Sequence, residues 1–192
     1  MWGDRVGLAG AGMTSLTEQY ETVCVTPSDI VDHLPRFVAM VEELNAEHVI
    51  ELGTRTGVST IAWLYGLGKT GGRLTSIDID ARPKIGEFPH WEFIQGDDCD
   101  PQIVGGLDPA DIVFIDTSHL YDQTVKELHT YRWLVKPGGC LVLHDTMLER
   151  PEGAPILPRF PVHKAVKEFV AETGFELFEF HDSWGLAVIK VV

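Results

Sequence analysis

Short apolar runs of strand length alternate along this chain with segments of helical period, and no other feature restricts the fold as much. Residues 48–52 (HVIEL) form the first run, which Gly53 stops. Ile61, Leu64 and Leu67, with Ala62 and Trp63 beside them, predict a helix over 57–68. Further strand-length runs lie at 73–78, 91–94 and 111–116. The last is almost wholly apolar, as a parallel strand buried on both faces requires. Val125, Leu128, Tyr131, Leu134 and Val135 predict a helix over 121–135, ended by Pro137-Gly138-Gly139 before a strand at 140–144. A helix over 162–173 is stopped by Gly174, and Ser28-Asp29 offers a cap for an early helix running to Asn45. Two final runs, 175–180 and 184–190, are separated by His181-Asp182-Ser183 alone. So short a link permits an antiparallel hairpin and excludes a parallel crossover. The fold class expected is α/β: a doubly wound, mostly parallel seven-stranded sheet with a C-terminal antiparallel hairpin.

The 192 residues suit one domain, and no repeat or linker divides them. Two segments fit the core poorly. Residues 1–27 carry Gly3, Gly7, Gly10 and Gly12 and are expected to be an arm, mobile until something orders it. Residues 146–161 form a Pro-rich loop, and loops this long in a compact domain tend to be functional or disordered. Both are lid candidates, which leaves 28–192 as the folded domain. The arm also leaves room for a homo-oligomer in which it orders across an interface.

Charge narrows the partners. Fifteen Lys and Arg stand against 29 Asp and Glu, a formal net charge of −14, with no basic cluster. Nucleic acid is therefore an unsuitable partner and a small molecule a suitable one. No apolar run is long enough to span a membrane, and MWGDRVGLAGAGMTS makes a poor signal peptide. Three cysteines without a CxxC spacing fit a reducing cytoplasm, the location expected here.

Ligands of doubly wound sheets bind beyond the C-terminal strand ends, where strand order reverses. The first such end reads ELGTRTGVS. Gly53 and Gly57 let its backbone turn sharply, Glu51 can accept from an ammonium or amide, and Thr54 and Ser59 lie in the same turn. Arg55 breaks the GxGxxG dinucleotide pattern, and no phosphate loop follows. Asp78, ending the second strand, is placed to accept from a ribose diol, with Asp80 the competing assignment. Asp97 and Asp98, after the third strand, come within reach of an adenine edge. ELGTRTGVS resembles the first motif of class I S-adenosylmethionine-dependent methyltransferases, SIDID their second and QGDD their third. The resemblance spans about residues 28–192, hairpin included. It implies S-adenosylmethionine as cofactor, with Glu51, Gly53 and Gly57 around its methionine part, Asp78 at the ribose and Asp98 by the adenine.

The next two strand ends carry reactive groups. Adjacent parallel strands lie about 4.8 Å apart, so Asp116 and Asp145 could converge on one divalent ion, with His144 as a third ligand. Mg²⁺ suits the carboxylates, whereas an imidazole favours a transition metal. Alternatively, Asp116 caps a turn and Asp145 makes loop hydrogen bonds. His119, three residues beyond Asp116, can be neutral at pH 7 and accept a proton, or merely pack. Tyr121, Trp133 and Trp184 are candidate aromatic walls.

The stretch IDTSHLYDQTVKELHTYRWLVKPGGCLVLHD is similar to small-molecule O-methyltransferases related to the macrocin and rhamnosyl enzymes and to cephalosporin-hydroxylase-like proteins. Catechol-type O-methyltransferases share the plan, a divalent ion held by strand-end acids beside a base. That likeness implies Asp116 and Asp145 as metal ligands, Asp116 also at the cofactor, and His119 at the base position. The chain departs from it at Thr146, where the catechol type has Asn, and at His144, where several relatives are acidic. The expected function is methyl transfer to a hydroxyl of a small metabolite or sugar. A metal-independent N- or O-methyltransferase and a non-catalytic S-adenosylmethionine-binding module are the rivals.

Overall fold

The computed structural model describes residues 14–149 and 159–192. The seven apolar runs become β1 (His48–Leu52), β2 (Arg73–Asp78), β3 (Trp91–Gln95), β4 (Ala110–Ile115), β5 (Val135–His144), β6 (Glu176–Phe180) and β7 (Leu186–Lys190). They form one sheet in the order β3-β2-β1-β4-β5-β7-β6. The first five strands are parallel to one another. β7 runs antiparallel to both β5 and β6, so the hairpin inserts its last strand beside β5. The fold is the Rossmann-like α/β arrangement expected from the alternation, and strand order reverses between β1 and β4.

Among the described residues, six α-helices pack around the sheet: α1 (Leu16–Val25), α2 (Leu34–Leu44), α3 (Val58–Thr70), α4 (Pro101–Val104), α5 (Tyr121–Tyr131) and α6 (Pro161–Thr173). The period-2 alternation of each strand divides the core in two. Val49, Leu74, Ile112, Phe114 and Val142 face α2 and α3, where Phe37 and Trp63 stack with ring centroids 4.3 Å apart. Ile50, Ile77, Val113, Leu141 and Leu143 face the opposite layer, with Leu128 of α5 and Val166 and Phe169 of α6. Burial on both faces explains why β4 reads as a continuous apolar run.

Three local expectations are corrected. The helix expected over 121–135 ends at Tyr131, and Val135 already pairs with Ala110 in β5. Pro137-Gly138-Gly139 is therefore an interruption inside β5, where the register jumps between Ala110 and Ile112. Gly139 is required there, because a Cβ would sit 2.4 Å from the Asp111 carbonyl oxygen. Ser28-Asp29 does not cap α2; a 3₁₀ turn at Val31–His33 precedes it, with His33 at the N-cap. Within the arm expected at 1–27, Leu16–Val25 is a helix, closed by a Ser15/Glu18 capping box and docked on α3 through stacked Tyr20 and Tyr65. Residues 1–13 and most of the 146–161 loop lie outside the described residues.

Candidate active site

A cavity of about 540 Å³ opens at the C-terminal ends of β1 to β5, at the switch point. Its walls hold Gly53, Thr54 and Ser59 from the first strand end, Asp78 and Asp80 from the second, and Asp97 and Asp98 from the third. Asp116, His119 and Asp145 line the other end. Strand register brings these groups together: Leu52 pairs with Ile115 and Ile115 with Leu143, so Gly53, Asp116 and His144 stand level. Gly53 must be glycine, since a Cβ there would lie 2.0 Å from the Asp116 carbonyl oxygen and its φ is +85°.

Asp78 organises the first turn. Its Oδ2 accepts Thr54 N at 2.7 Å, Thr54 Oγ1 at 2.9 Å and Arg55 N at 3.1 Å. Its Oδ1 accepts Asp80 N at 2.9 Å and keeps lone-pair capacity toward the cavity. Partial burial raises the Asp78 carboxyl, but these backbone donors outweigh it and hold the pKa below its usual value. Asp80 lines the cavity as well, so the two acids remain neighbours at one wall.

Glu51 and Gly57 stand outside the cavity. The Glu51 carboxylate is fully buried and accepts Ser59 Oγ at 2.6 Å, Thr60 Oγ1 at 2.8 Å and Ser76 Oγ at 2.6 Å. Burial lifts its pKa to about 7 against those hydroxyls. It ties β1 to α3 and β2 from behind the turn. Gly57, the N-cap of α3, packs toward Ile85 and Pro83.

Asp116, His144 and Asp145 offer ligand atoms within 4.8 Å of one another. The His144 side chain is 1% exposed and that of Asp145 5%. His144 Nε2 contacts the Ser183 carbonyl oxygen at 2.9 Å, and a carbonyl accepts only, so Nε2 carries the proton. Nδ1 then has no hydrogen-bond partner, and Asp145 Oδ1 has none either. An imidazole whose far nitrogen is fixed on a carbonyl and whose near nitrogen points at two carboxylates has the form of a metal ligand. The donor set fits a divalent cation.

His119 occupies the same mouth. Its Nε2 lies 3.1 Å from Asp116 Oδ1 and 2.8 Å from Asp145 Oδ2. His119 (φ 54°) and Asp145 (φ 59°) both adopt left-handed backbone, which costs energy outside glycine. Burial alone would lower the His119 pKa, but the two carboxylates reverse that and raise it to about 9. His144 follows the same balance, to about 10, so that without a cation its Nδ1 proton faces the two carboxylates, and a bound cation would displace that proton. Beside two bare carboxylates the His119 ring is therefore biased toward its protonated form, a bias that a cation on those carboxylates would remove.

A family model described as a methyltransferase domain matches residues 50–146, just over half of the 192-residue chain. The chain belongs to that family. The matched span runs from β1 through Thr146 and so contains every strand end that lines the cavity. No curated protein is similar to this chain at a significant level. Among solved structures, MycE from the mycinamycin pathway, in complex with Mg, S-adenosylhomocysteine (SAH) and mycinamycin VI, is 20% identical at TM-score 0.71. That match covers 94% of this chain and 56% of MycE. SAH-bound PaMTH1 of Podospora anserina is 17% identical (TM-score 0.65; 92% and 87% covered). The O-methyltransferase TomG of Streptomyces achromogenes, bound to S-adenosylmethionine (SAM), is 18% identical (TM-score 0.66; 91% and 90% covered). At these identities the likeness establishes the fold. Family and fold agree that the chain is a methyltransferase-domain protein.

A second cavity of about 590 Å³ adjoins the first and shares Asp29, Thr54, Arg55, Ser59 and Asp116 with it. Of the three candidate aromatic walls only Trp184 lines it. Trp133 lies exposed under the Arg132 guanidinium, and Tyr121 donates its hydroxyl to Glu168. Sequence reading missed Gln123 and Glu127 of α5, which sit against Asp98. Helical period alone places both on a helix but does not aim them at a strand end. Among the described residues no helix is long and apolar enough to cross a membrane.

Proposed function

We propose that this methyltransferase moves the sulfonium methyl of SAM to a hydroxyl of a small hydroxylated metabolite or sugar, with a divalent metal at Asp116, His144 and Asp145 and with His119 as proton acceptor. Within its family this is the small-molecule O-methyltransferase group that the sequence resembles around the macrocin and rhamnosyl enzymes. The observation that carries the reading is the unpartnered, buried His144 Nδ1 facing two carboxylates. The MycE complex with Mg, SAH and a macrolide supports it by fold.

The cofactor supplies an electrophilic methyl when bound, and the metal, Mg²⁺ or another divalent ion, supplies Lewis acidity that lowers the acceptor hydroxyl's pKa. The chain's own residues do the rest. Asp78 and the Thr54–Arg55 turn seat the ribose, while Asp97 and Asp98 stand at the purine end. Gly53 lets the Asp116 backbone close against the first turn, which sets that end of the cavity. The second cavity, open past Ser59 and Asp116, holds the acceptor, with Trp184 as one wall. Released from Asp116 and Asp145 once a cation neutralises them, the His119 ring is a neutral imidazole whose Nε2 takes the hydroxyl proton. Holding donor and acceptor in line and excluding water supplies the remaining acceleration.

Calorimetric titration of SAM and SAH, with Mg²⁺ and with EDTA, tests the reading. Micromolar binding of both, with a separate Mg²⁺ signal lost in His144→Ala, is expected. Failure of the wild type to bind either nucleoside would remove the enzyme claim. One observation favours a metal-independent second reading: His119 Nε2 already bridges Asp116 and Asp145, where a cation would sit. Methyl transfer that survives exhaustive chelation selects it.

A further inference from the structure

Behind the Asp98 end of the cavity lies a carboxyl group that this chemistry does not use. Glu127, on α5, is fully buried. Its Oε1 accepts Thr117 Oγ1 at 2.6 Å and Gln123 Nε2 at 3.0 Å. The same Gln123 nitrogen donates to Asp98 Oδ1 at 3.0 Å, which uses both of its hydrogens. Glu127 Oε2, equally enclosed, has no donor in reach. The neighbouring carboxyl is that of Asp98, itself buried and tied to Glu127 through the shared Gln123 amide. Tyr131 fixes the Asp98 backbone by donating its hydroxyl to the carbonyl at 2.6 Å.

Two neighbouring enclosed carboxylates repel one another, and an oxygen without a donor is costly. One proton resolves both problems. Placed on Glu127 Oε2, it gives Asp98 a second donor and lets Asp98, which lines the cavity, keep its charge. Burial, reinforced by the Asp98 charge, raises the Glu127 carboxyl to about 8, which retains the proton at neutral pH.

We propose that Glu127 is a positioning residue for purine selection: a neutral carboxylic acid that, with Gln123, holds the Asp98 carboxylate so that its cavity-facing lone pair accepts from the exocyclic amine of adenine. The proposal rests on the SAM reading above and adds a prediction that reading does not make. A 6-oxo purine presents an acceptor to the same carboxylate and leaves it unpaired, so the site rejects it.

The test compares binding of SAH and its 6-oxo analogue, S-inosylhomocysteine, to the wild type, Glu127→Gln and Glu127→Leu. The wild type should prefer the amino purine. Glu127→Gln should keep that preference, because an amide can donate to Asp98 and still accept from Thr117 and Gln123. Glu127→Leu should raise the Kd of SAH by about tenfold or more, the loss of a charge-assisted hydrogen bond, and change that of the 6-oxo analogue little. Equal weakening of both ligands, or a Glu127→Gln variant that behaves like Glu127→Leu, overturns the proposal. Should Glu127→Leu fail to fold, infrared difference spectra of wild type against Glu127→Gln at neutral pH decide. A protonated-acid carbonyl band lost in the variant is expected, and its absence from the wild type overturns the proposal. A wild type that binds neither nucleoside sinks the cofactor reading itself, which sets that failure apart from the others.

Discussion

At the scale of single residues, the strand-end acids were legible because position alone gives them meaning. A carboxylate just past an apolar run at the switch-point edge has few packing duties, and Asp78, Asp116 and Asp145 all reach the cavity wall. Glu51 shows the limit of that logic. It lies inside β1, one residue from the strand end, and three hydroxyls from other elements consume it. No spacing in the sequence announces those partners. The two site groups with clearest roles give separable predictions. His119→Ala should lower kcat by about 10²–10⁴ while SAH affinity, read calorimetrically, stays near wild type. Loss of both together would make His119 a structural clamp between Asp116 and Asp145. Asp78→Ala should act on binding first, raising the SAH Kd about tenfold or more, as removal of a charged acceptor does. Part of that loss is indirect, since Oδ2 also holds Thr54 and Arg55 in place. An unchanged Kd would remove Asp78 from the cofactor site.

At the scale of elements, apolar periodicity located every strand, and boundaries failed where tertiary contacts override it. Leu134 and Val135 continue the period of α5, yet Val135 is drawn into the sheet by pairing with Ala110. Helix α1 was hidden by the glycines before it, although the Ser15-x-x-Glu18 box was available as a signal. The N-terminal edge of the sheet depends on Asp111, at the register jump in β4. Its carboxylate accepts Glu47 N at 2.8 Å and His48 N at 2.9 Å and pairs with Lys136 of β5 at 3.0 Å. Burial raises the Asp111 carboxyl, but the His48 N–H, the Lys136 ammonium and the Glu47 N–H outweigh it and hold the pKa below its usual value. With a folded pKa below the unfolded one, the unfolded chain binds the extra proton. The stabilisation is then fully present above the unfolded pKa and is lost as pH falls through the folded one. Asp111→Ala should therefore cost about 1–3 kcal/mol near neutrality, with the gap to wild type closing in acid. Denaturant melts at several pH values read this directly, and a pH-independent gap would show that the lost packing, not the charge, matters.

For the whole molecule, the fold builds one functional edge and polarises it. Seven aspartates line the strand-end cavity: Asp29, Asp78, Asp80, Asp97, Asp98, Asp116 and Asp145. In a chain of net charge −14, such a mouth disfavours polyphosphate ligands and favours a cationic sulfonium. The acceptor stayed illegible for a physical reason. Trp184 is set by three successive left-handed residues, Ser183, Trp184 and Gly185, in a hairpin turn whose shape composition does not encode. That turn is also anchored by His144 on the Ser183 carbonyl and by Asp32 on the Ser183 hydroxyl. Five parallel strands and the β1–α3 turn therefore meet at the first cavity, with the hairpin turn at the second beside it, and a ligand filling the first should stabilise the domain as a unit. A nucleoside that binds the folded state alone contributes about 2.7 kcal/mol at a hundredfold excess over its Kd. For a domain of this length each kcal/mol moves Tm by about 2–4 °C, so SAH at that excess should raise it by about 5–11 °C. The shift should grow with the logarithm of SAH concentration and shrink in Asp78→Ala with the logarithm of its weakened Kd. A flat Tm across that titration would mean that the strand-end cavity does not take the nucleoside, whatever its residues resemble.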